Sequence, residues 1–498
     1  MDRKWWTLVA VCVATFMLLL DITIVNVALP EIERALHASF SDLQWVIDAY
    51  ALTLAAALLT AGSLSDLFGR RLVFLLGIGL FTTASLLCAL AGTPLVLNLA
   101  RALQGVGGAL MFATSLALLA SAFQGRDRGT AFGVWGATTG ASVAVGPLVG
   151  GVLTDGIGWE AIFLVNLPIG LAAIAMTLAK VDESRDPHEG RVDFPGLVTF
   201  SGALLLLIFG LIRGNDEGWT SGLIVSMLVG AVVLLALFVA IELRREHPML
   251  DLSLFRKPAF NGASIAAFVL SASMFSMFLY ITLYIQNILG YSALEAGLRF
   301  LPITLLSFAF APVSGKLAER FGVRWFMGAG LAFVGIGLVL MRGLSEGDDW
   351  TALLAGFLIA GAGIGLVNPA LATAAVGVVE PRRAGMASGI NSTFRQVGIA
   401  TGIAALGAIF QHVVASNLRD AVAGLGGGPP RGATAADIAN FVAFGGAQRT
   451  GNPALARAAE QAFVGGLNDI LLYAALLAFA GAVLSMALTR PSDFVAHG

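Results

Sequence analysis

The sequence predicts an all-α membrane protein of fourteen transmembrane helices, laid out as two six-helix lobes with two helices inserted between them. Three observations carry that prediction. The 498 residues are 57% hydrophobic and only 12% charged, with mean hydropathy +0.86, whereas soluble domains carry about 25% charged residues. Apolar runs of roughly 20 residues, long enough to cross a bilayer as a helix, recur from end to end. A short polar pattern also occurs twice between such runs, as Gly62-Ser63-Leu64-Ser65-Asp66-Leu67-Phe68-Gly69-Arg70-Arg71 and Gly315-Lys316-Leu317-Ala318-Glu319-Arg320-Phe321-Gly322-Val323-Arg324. Lipid cannot bond an open turn, so each copy marks a membrane surface. Two copies mean two halves built alike, which is the plan of a secondary transporter with parallel repeats.

In chain order the spans fall near 6–28, 43–64, 72–92, 95–121, 130–153, 160–179 and 194–212, then near 221–241, 261–288, 296–315, 323–341, 351–378, 386–410 and 468–489. The first run follows Met1-Asp2-Arg3-Lys4 without a small-residue cleavage site, so it reads as a retained span. Capping boxes open two helices, Ser41 with Gln44 and Ser292 with Glu295. Aligning the two surface patterns pairs spans 1–6 with spans 9–14. The expected organisation is a first lobe over 1–180, a linker over 181–193, inserted helices over 194–245 and a second lobe over 246–498. Segment 412–467 is expected as a long outer loop. Its Gly426-Gly427-Gly428-Pro429-Pro430 breaker precedes helical stretches at 433–445 and 453–466, read either as a hairpin over the outer mouth or as a connector.

Charge sets the orientation. Of the 29 Lys and Arg residues, 19 fall in loops on the side of the N-terminus, 7 on the other side and 3 within spans. Both termini are therefore expected in the cytoplasm of a cell membrane. A net charge of −2 and a pI of about 6.2 point away from nucleic acid. Cys12 and Cys88 both lie in apolar runs and can build neither a disulfide framework nor a metal site. The absence of a phosphate loop and of a catalytic triad argues against an ATP-driven pump or an enzyme.

Four motifs give the chain a family resemblance. They are Leu20-Asp21-Ile22-Thr23-Ile24-Val25-Asn26-Val27-Ala28-Leu29-Pro30, the Gly62–Arg71 pattern, Arg101-Ala102-Leu103-Gln104-Gly105, and Gly146-Pro147-Leu148-Val149-Gly150-Gly151. In that order and at those spans the chain resembles the fourteen-span drug:proton antiporters of the major facilitator superfamily. The departures are Ser142 where the fifth-span motif usually opens on glycine, and Glu319 and Val323 in the second surface copy. The resemblance implies proton-driven multidrug efflux with no cofactor. It further implies that Gly62, Asp66, Gly69, Arg70 and Arg71 form a cytoplasmic gate, and that Gly146, Pro147, Gly150 and Gly151 form the antiporter helix.

The residues themselves locate the chemistry. Ionisable groups inside a bilayer are functional hypotheses by default. Counting 1.5 Å per residue puts Asp21 about 10 Å deep, Asp48 about 8 Å and Arg101 about 9 Å from the outer ends of their spans. An acid–base cluster at one level suits proton coupling, because drying favours the neutral carboxyl and a neighbouring guanidinium favours the charged one. The same carboxylates could receive a cationic drug. The alternatives are an interhelical hydrogen bond for Asp21, plain solvation for Asp48 and a structural anchor for Arg101. In the gate pattern, Asp66 is expected to pair with a helix terminus while the arginines face water and lipid phosphates. Gly136, Gly140, Pro147 and Gly150 share one face of span 5, expected to pack on the other lobe. In the second lobe, Tyr280, Tyr284 and Gln286 line either an apolar pocket or a lipid face, Asn26 and Arg395 being further candidates. Arg395 is expected to pair with a backbone carbonyl or Asn391.

The partners implied are small lipophilic molecules, protons and lipids, with the chain acting as a monomer. Three readings compete with multidrug export: a dedicated exporter of a lipid or self-made antibiotic, an uptake symporter, and a scaffold or lipid-binding protein without transport.

Overall fold

The computed structural model describes all residues except 1, 39, 124–125, 185–192, 246–249, 346, 380–383, 425–437, 440, 443–451 and 491–498. The regular structure among the described residues is helical throughout. The first lobe comprises α1 (Arg3–Leu36), α2 (Phe40–Phe68), α3 (Arg70–Ala89), α4 (Pro94–Ala122), α5 (Arg126–Gly156), α6 (Ala161–Leu164) and α7 (Asn166–Lys180). An inserted pair follows, α8 (Phe194–Glu217) and α9 (Gly222–Glu242). Next come α10 (Pro258–Leu270), α11 (Ser276–Leu283), α12 (Ala293–Arg299), α13 (Leu301–Phe321), α14 (Val323–Leu340), α15 (Leu354–Gly377), α16 (Ala384–Gly424) and α17 (Pro453–Leu488).

Among the described residues, thirteen helices are long and apolar enough to cross a membrane, making this a multi-pass membrane protein. The fourteenth expected span, α5, is a continuous helix of 31 residues but is not one of the thirteen. Several of its side chains lie outside the described residues, and it lies between α1 on one side and α13 and α15 on the other. Two turns of π-helix, Ser271–Phe275 and Tyr284–Ile288, interrupt the ninth span. Such bulges free carbonyls for other bonds, and Ser271 accepts one from the Ser276 hydroxyl at 3.3 Å.

Packing pairs recur between the halves. Helix α2 packs on α4, α3 on α4 and α7, and α1 on α5. Likewise α13 packs on α15, α14 on α15 and α17, and α10 on α16. Both copies of the surface pattern turn on a glycine with positive φ, Gly69 at 113° and Gly322 at 91°. That conformation is open to glycine at no steric cost. Between the halves, α5 meets α13 and α2 meets α16, while α8 lies against both α2 and α16.

Two expectations change at the chain's end. Half of segment 412–467 is helix, because α16 continues to Gly424 and α17 already starts at Pro453. The stretch 453–466 is thus the first part of the last spanning helix and not one arm of a hairpin; Asn452 caps it by accepting from Ala454 N at 3.1 Å. The stretch 433–445 lies mostly outside the described residues. The Ser292–Glu295 capping box is present in both directions. Hydrogen bonds from Ser292 hold the Glu295 carboxyl below its ordinary range. The side chains of Ser41 and Gln44 lie outside the described residues.

Candidate functional site

Thr93 caps α4 by accepting from Val96 N, and Pro94 begins the helix. This start sets Arg101 two turns in, with Gln104 on the same face at i+3. Both side chains are buried against Asp21 of α1, which is fully buried. Arg101 Nη1 donates to Asp21 Oδ2 at 2.5 Å and to Gln104 Oε1 at 2.7 Å, while its Nε donates to the Val46 carbonyl at 3.0 Å. Asp21 Oδ1 accepts from Gln104 Nε2 at 2.9 Å and from Asn166 Nδ2 at 3.1 Å. Ser85 of α3 accepts from the same two amides and donates to the Phe163 carbonyl at 2.9 Å. The Tyr50 ring lies 4.3 Å from the Arg101 guanidinium carbon.

Removing two charges from water costs several kcal/mol per ion, and geometry this complete is what compensates it. Every contact described to Asp21 is a donor aimed at a carboxylate oxygen.

Asp48 is half-buried on α2. Tyr50 faces Arg101, and a residue two positions away points about 200° around the helix. Asp48 instead shares a face with Leu52, which packs with Ile208 of α8 and Ala400 of α16. By helical periodicity Asp48 therefore lies on the face of α2 opposite Tyr50, the face that bears Leu52.

The gate residues meet where the lobes touch at the terminal end. Asp66 Oδ1 accepts from Arg70 Nε at 3.0 Å and Nη2 at 2.8 Å, and Asp66 Oδ2 accepts from Met386 N at 2.9 Å. Met386 lies in the first turn of α16, where free N–H groups and the helix dipole favour an anion. One carboxylate thus ties the two halves. Nearby, a Cβ on Gly389 would stand 3.5 Å from the Gly62 Cα, a backbone-to-backbone approach. Arg70 does not face water as expected, being only 3% exposed, whereas Arg71 is half-buried and its Nη2 donates to the Leu178 carbonyl at 2.7 Å. Glu183, in the linker, caps α3 by accepting from Arg71 N at 3.0 Å and Leu72 N at 3.1 Å.

Span 5 splits its contacts in a way the sequence did not suggest. A Cβ on Gly146 would overlap the Thr23 side chain of α1, and one on Gly150 would reach Ile24 Cγ1 at 3.0 Å. Both glycines therefore seat α5 on its own lobe. The contact across the lobes comes earlier, where Gly133 faces Ala311 O at 3.1 Å and Gly136 faces Pro369 Cγ at 3.2 Å. Gly151 is buried too. The side chains of Pro147, Gly140 and Asn26 lie outside the described residues.

The two tyrosines line neither an open pocket nor a lipid face. Tyr284 is 1% exposed and stacks on Phe463, and Tyr280 packs on Phe410 while donating to the Ile403 carbonyl at 3.2 Å. Both belong to the second lobe's core; Gln286, in the π-turn, is half-buried. Arg395 is buried on α16 and donates to Asn368 Oδ1 of α15 at 2.9 Å, so its bonded partner is Asn368 and not Asn391.

The family model described as Major Facilitator Superfamily matches residues 11–403. The chain belongs to the major facilitator superfamily. The relatives of this superfamily member include the multidrug resistance protein Stp of Mycobacterium tuberculosis, 38% identical over 413 residues, covering 83% of this chain and 77% of that protein. The tetracenomycin C resistance and export protein of Streptomyces glaucescens is 35% identical, with 82% and 76% covered. The puromycin resistance protein pur8 of Streptomyces alboniger is also 35% identical, with 84% of each covered. A crystal structure of the human organic anion transporter MFSD10 (TETRAN) has the same fold at TM-score 0.65 and 14% identity, covering 97% of this chain and 100% of that one. The superfamily consists of transporters, and this chain is not an enzyme.

Sequence reasoning missed five polar partners in this major facilitator protein: Ser85, Gln104, Asn166, Glu183 and Asn368. Gln104 stood inside a quoted motif three residues from Arg101, a spacing that could have identified it. Ser85 and Asn166 are single neutral residues on other helices, with no local signal. Glu183 was hidden in a stretch that reads as plain linker.

Proposed function

We propose that this chain is a proton-driven antiporter that exports structurally diverse lipophilic, often cationic compounds by alternating access. In this reading both termini are cytoplasmic, α5 is the fourteenth span, the chain works as a monomer and the proton gradient is the only energy source. The observation that carries the proposal is the buried Asp21–Arg101 pair with its amide donors. Protonation of Asp21 removes the charge that balances Arg101, and the cost of a lone buried cation favours a different packing of α1 and α4. Two residues beyond Asp21, Thr23 bears on Gly146. A shift of α1 is therefore passed to α5, and α5 carries it to the second lobe at Gly133 and Gly136. Asp66 on α16 is the contact that must open for the terminal end to part.

Asp48, facing away from this cluster, is assigned to the cationic group of the substrate. Export as the direction of transport is supported by relatives whose names record drug resistance and export. Some of those names record one antibiotic, which favours a dedicated exporter as the second reading. Proteoliposomes with an imposed pH gradient test the proposal. The parent protein should drive ethidium against its gradient and Asp21→Asn should not. Accumulation by Asp21→Asn equal to the parent would remove Asp21 from coupling.

A further inference from the structure

Among the described residues, the second lobe holds a buried cation without an ion-pair partner. Arg395 is 8% exposed, and among the described residues its guanidinium makes one hydrogen bond, to the neutral side chain of Asn368, and no ion pair. Its surroundings add donors and no charge. The Asn368 amide nitrogen, its oxygen occupied by Arg395, is buried without a partner, and so is the amide nitrogen of Asn391. Asn391 precedes Arg395 by four residues on α16 and so shares its face. Helix α15 contains no acid, and the one acid of α16, Asp420, lies 25 residues beyond Arg395. Arg395 and Asn368 are thus bonded donors with no acceptor of matching charge, and the unpartnered Asn391 amide lies one turn away on the face of α16 that bears Arg395. Burying a guanidinium this way is costly, and the first lobe shows the contrast, with Arg101 balanced by Asp21.

The position is central. Asn368 Cβ stands 3.4 Å from where a Cβ of Gly136 would lie, so the Arg395–Asn368 pair abuts α5 at the boundary between the lobes. On α5, Gly136 precedes by about 15 Å the level at which Gly146 meets Thr23, beside Asp21.

We propose that Arg395, Asn368 and Asn391 form a receptor for the anionic group of an exported molecule, a carboxylate or phenolate on a lipophilic skeleton. The planar guanidinium offers paired donors that match such a group, and the two amides complete its coordination. The substrate range then extends beyond cations, with Asp48 and Arg395 taking opposite charges on opposite lobes. This rests on the transporter reading, so the test measures binding without any gradient.

Purified protein in detergent is titrated with 2-anthracenecarboxylate, with its neutral methyl ester and with ethidium, in chloride and in gluconate buffer. The parent should bind the carboxylate at least tenfold more tightly than the ester. Arg395→Gln should weaken the carboxylate about tenfold and leave ethidium unchanged, with Arg395→Lys intermediate. Asn391→Ala, which keeps the Arg395–Asn368 bond, should weaken the carboxylate alone and serves if the Arg395 variants fold poorly. Equal loss of all three probes in the Arg395 and Asn391 variants would make the cluster structural and overturn the proposal. No preference of the parent for the carboxylate over the ester would do the same, as would chloride displacing the carboxylate completely, which would mark an inorganic-anion site. A protein that binds as expected but moves nothing under a pH gradient would leave the receptor standing and sink the antiport reading instead.

Discussion

At the scale of single residues, the first lobe concentrates its polar chemistry in groups that cannot be exchanged for near relatives. Arg101 bonds three oxygens in different directions, on Val46, Asp21 and Gln104. A lysine ammonium at the end of a flexible stem does not reproduce that fork. Arg101→Lys should lower gradient-driven transport more than tenfold and reduce the midpoint of thermal unfolding in detergent. Arg101→Ala, which strands Asp21, should cost about 3–5 kcal/mol of stability. Asp21→Asn differs: the amide keeps an oxygen for Gln104 or Asn166 to donate to, so the protein should fold and exchange dye at equal pH while losing the response to a gradient. Uphill transport by that variant at the parent's rate would contradict the coupling role. Asp21 and Arg101 were legible because charge is rare in a span and their depths agree. The partner of Arg395 was not, because Asn368 is neutral and its proximity depends on how α15 meets α16.

At the scale of helices, α5 is the element whose role changes most between sequence and structure. Its glycines recur along one helical face and read as a single seam, yet they serve two contacts. Gly146 and Gly150 meet α1, whereas Gly133 and Gly136 meet α13 and α15. Periodicity places residues on a face but does not name the helix opposite, and a long helix passes more than one neighbour. Substitution should separate the two contacts. Gly146→Leu has no room against Thr23 and should prevent folding, visible as loss of the monodisperse peak in size-exclusion chromatography. Gly133→Leu should fold, because the lobes can part slightly, but should transport poorly. Normal transport by Gly133→Leu would show that this approach is not needed. Glu183→Gln weakens the cap of α3 and should cost about 1 kcal/mol, measurable as a lower unfolding midpoint.

At the scale of the whole molecule, the duplicated halves were legible from two ten-residue patterns, and the shared positive-φ turns at Gly69 and Gly322 give that repeat a physical form. Orientation is still to be measured. Thr220 and Arg244 are exposed at opposite ends of α9. A membrane-impermeant thiol reagent added to intact cells should label Thr220→Cys and spare Arg244→Cys; the reverse would invert the assignment of the termini. Asp66→Asn weakens the tie between α2 and α16 and should raise the fraction of molecules parted at the terminal end, read as faster labelling of Asp66→Asn/Thr60→Cys than of Thr60→Cys alone.

The meeting of α5 with α13 has a mechanical consequence. Where Gly129 and Gly133 face Gly315 and Ala311, two nearly bare backbones touch. Interlocked side chains would act as gear teeth, and every degree of rotation would have to climb over them. A surface stripped to main chain and methyl behaves as a plain bearing, with little to lift out of register as one body turns on the other. In the alternating-access cycle proposed above, resistance to rocking would then reside in the polar clasp where Asp66 holds α16.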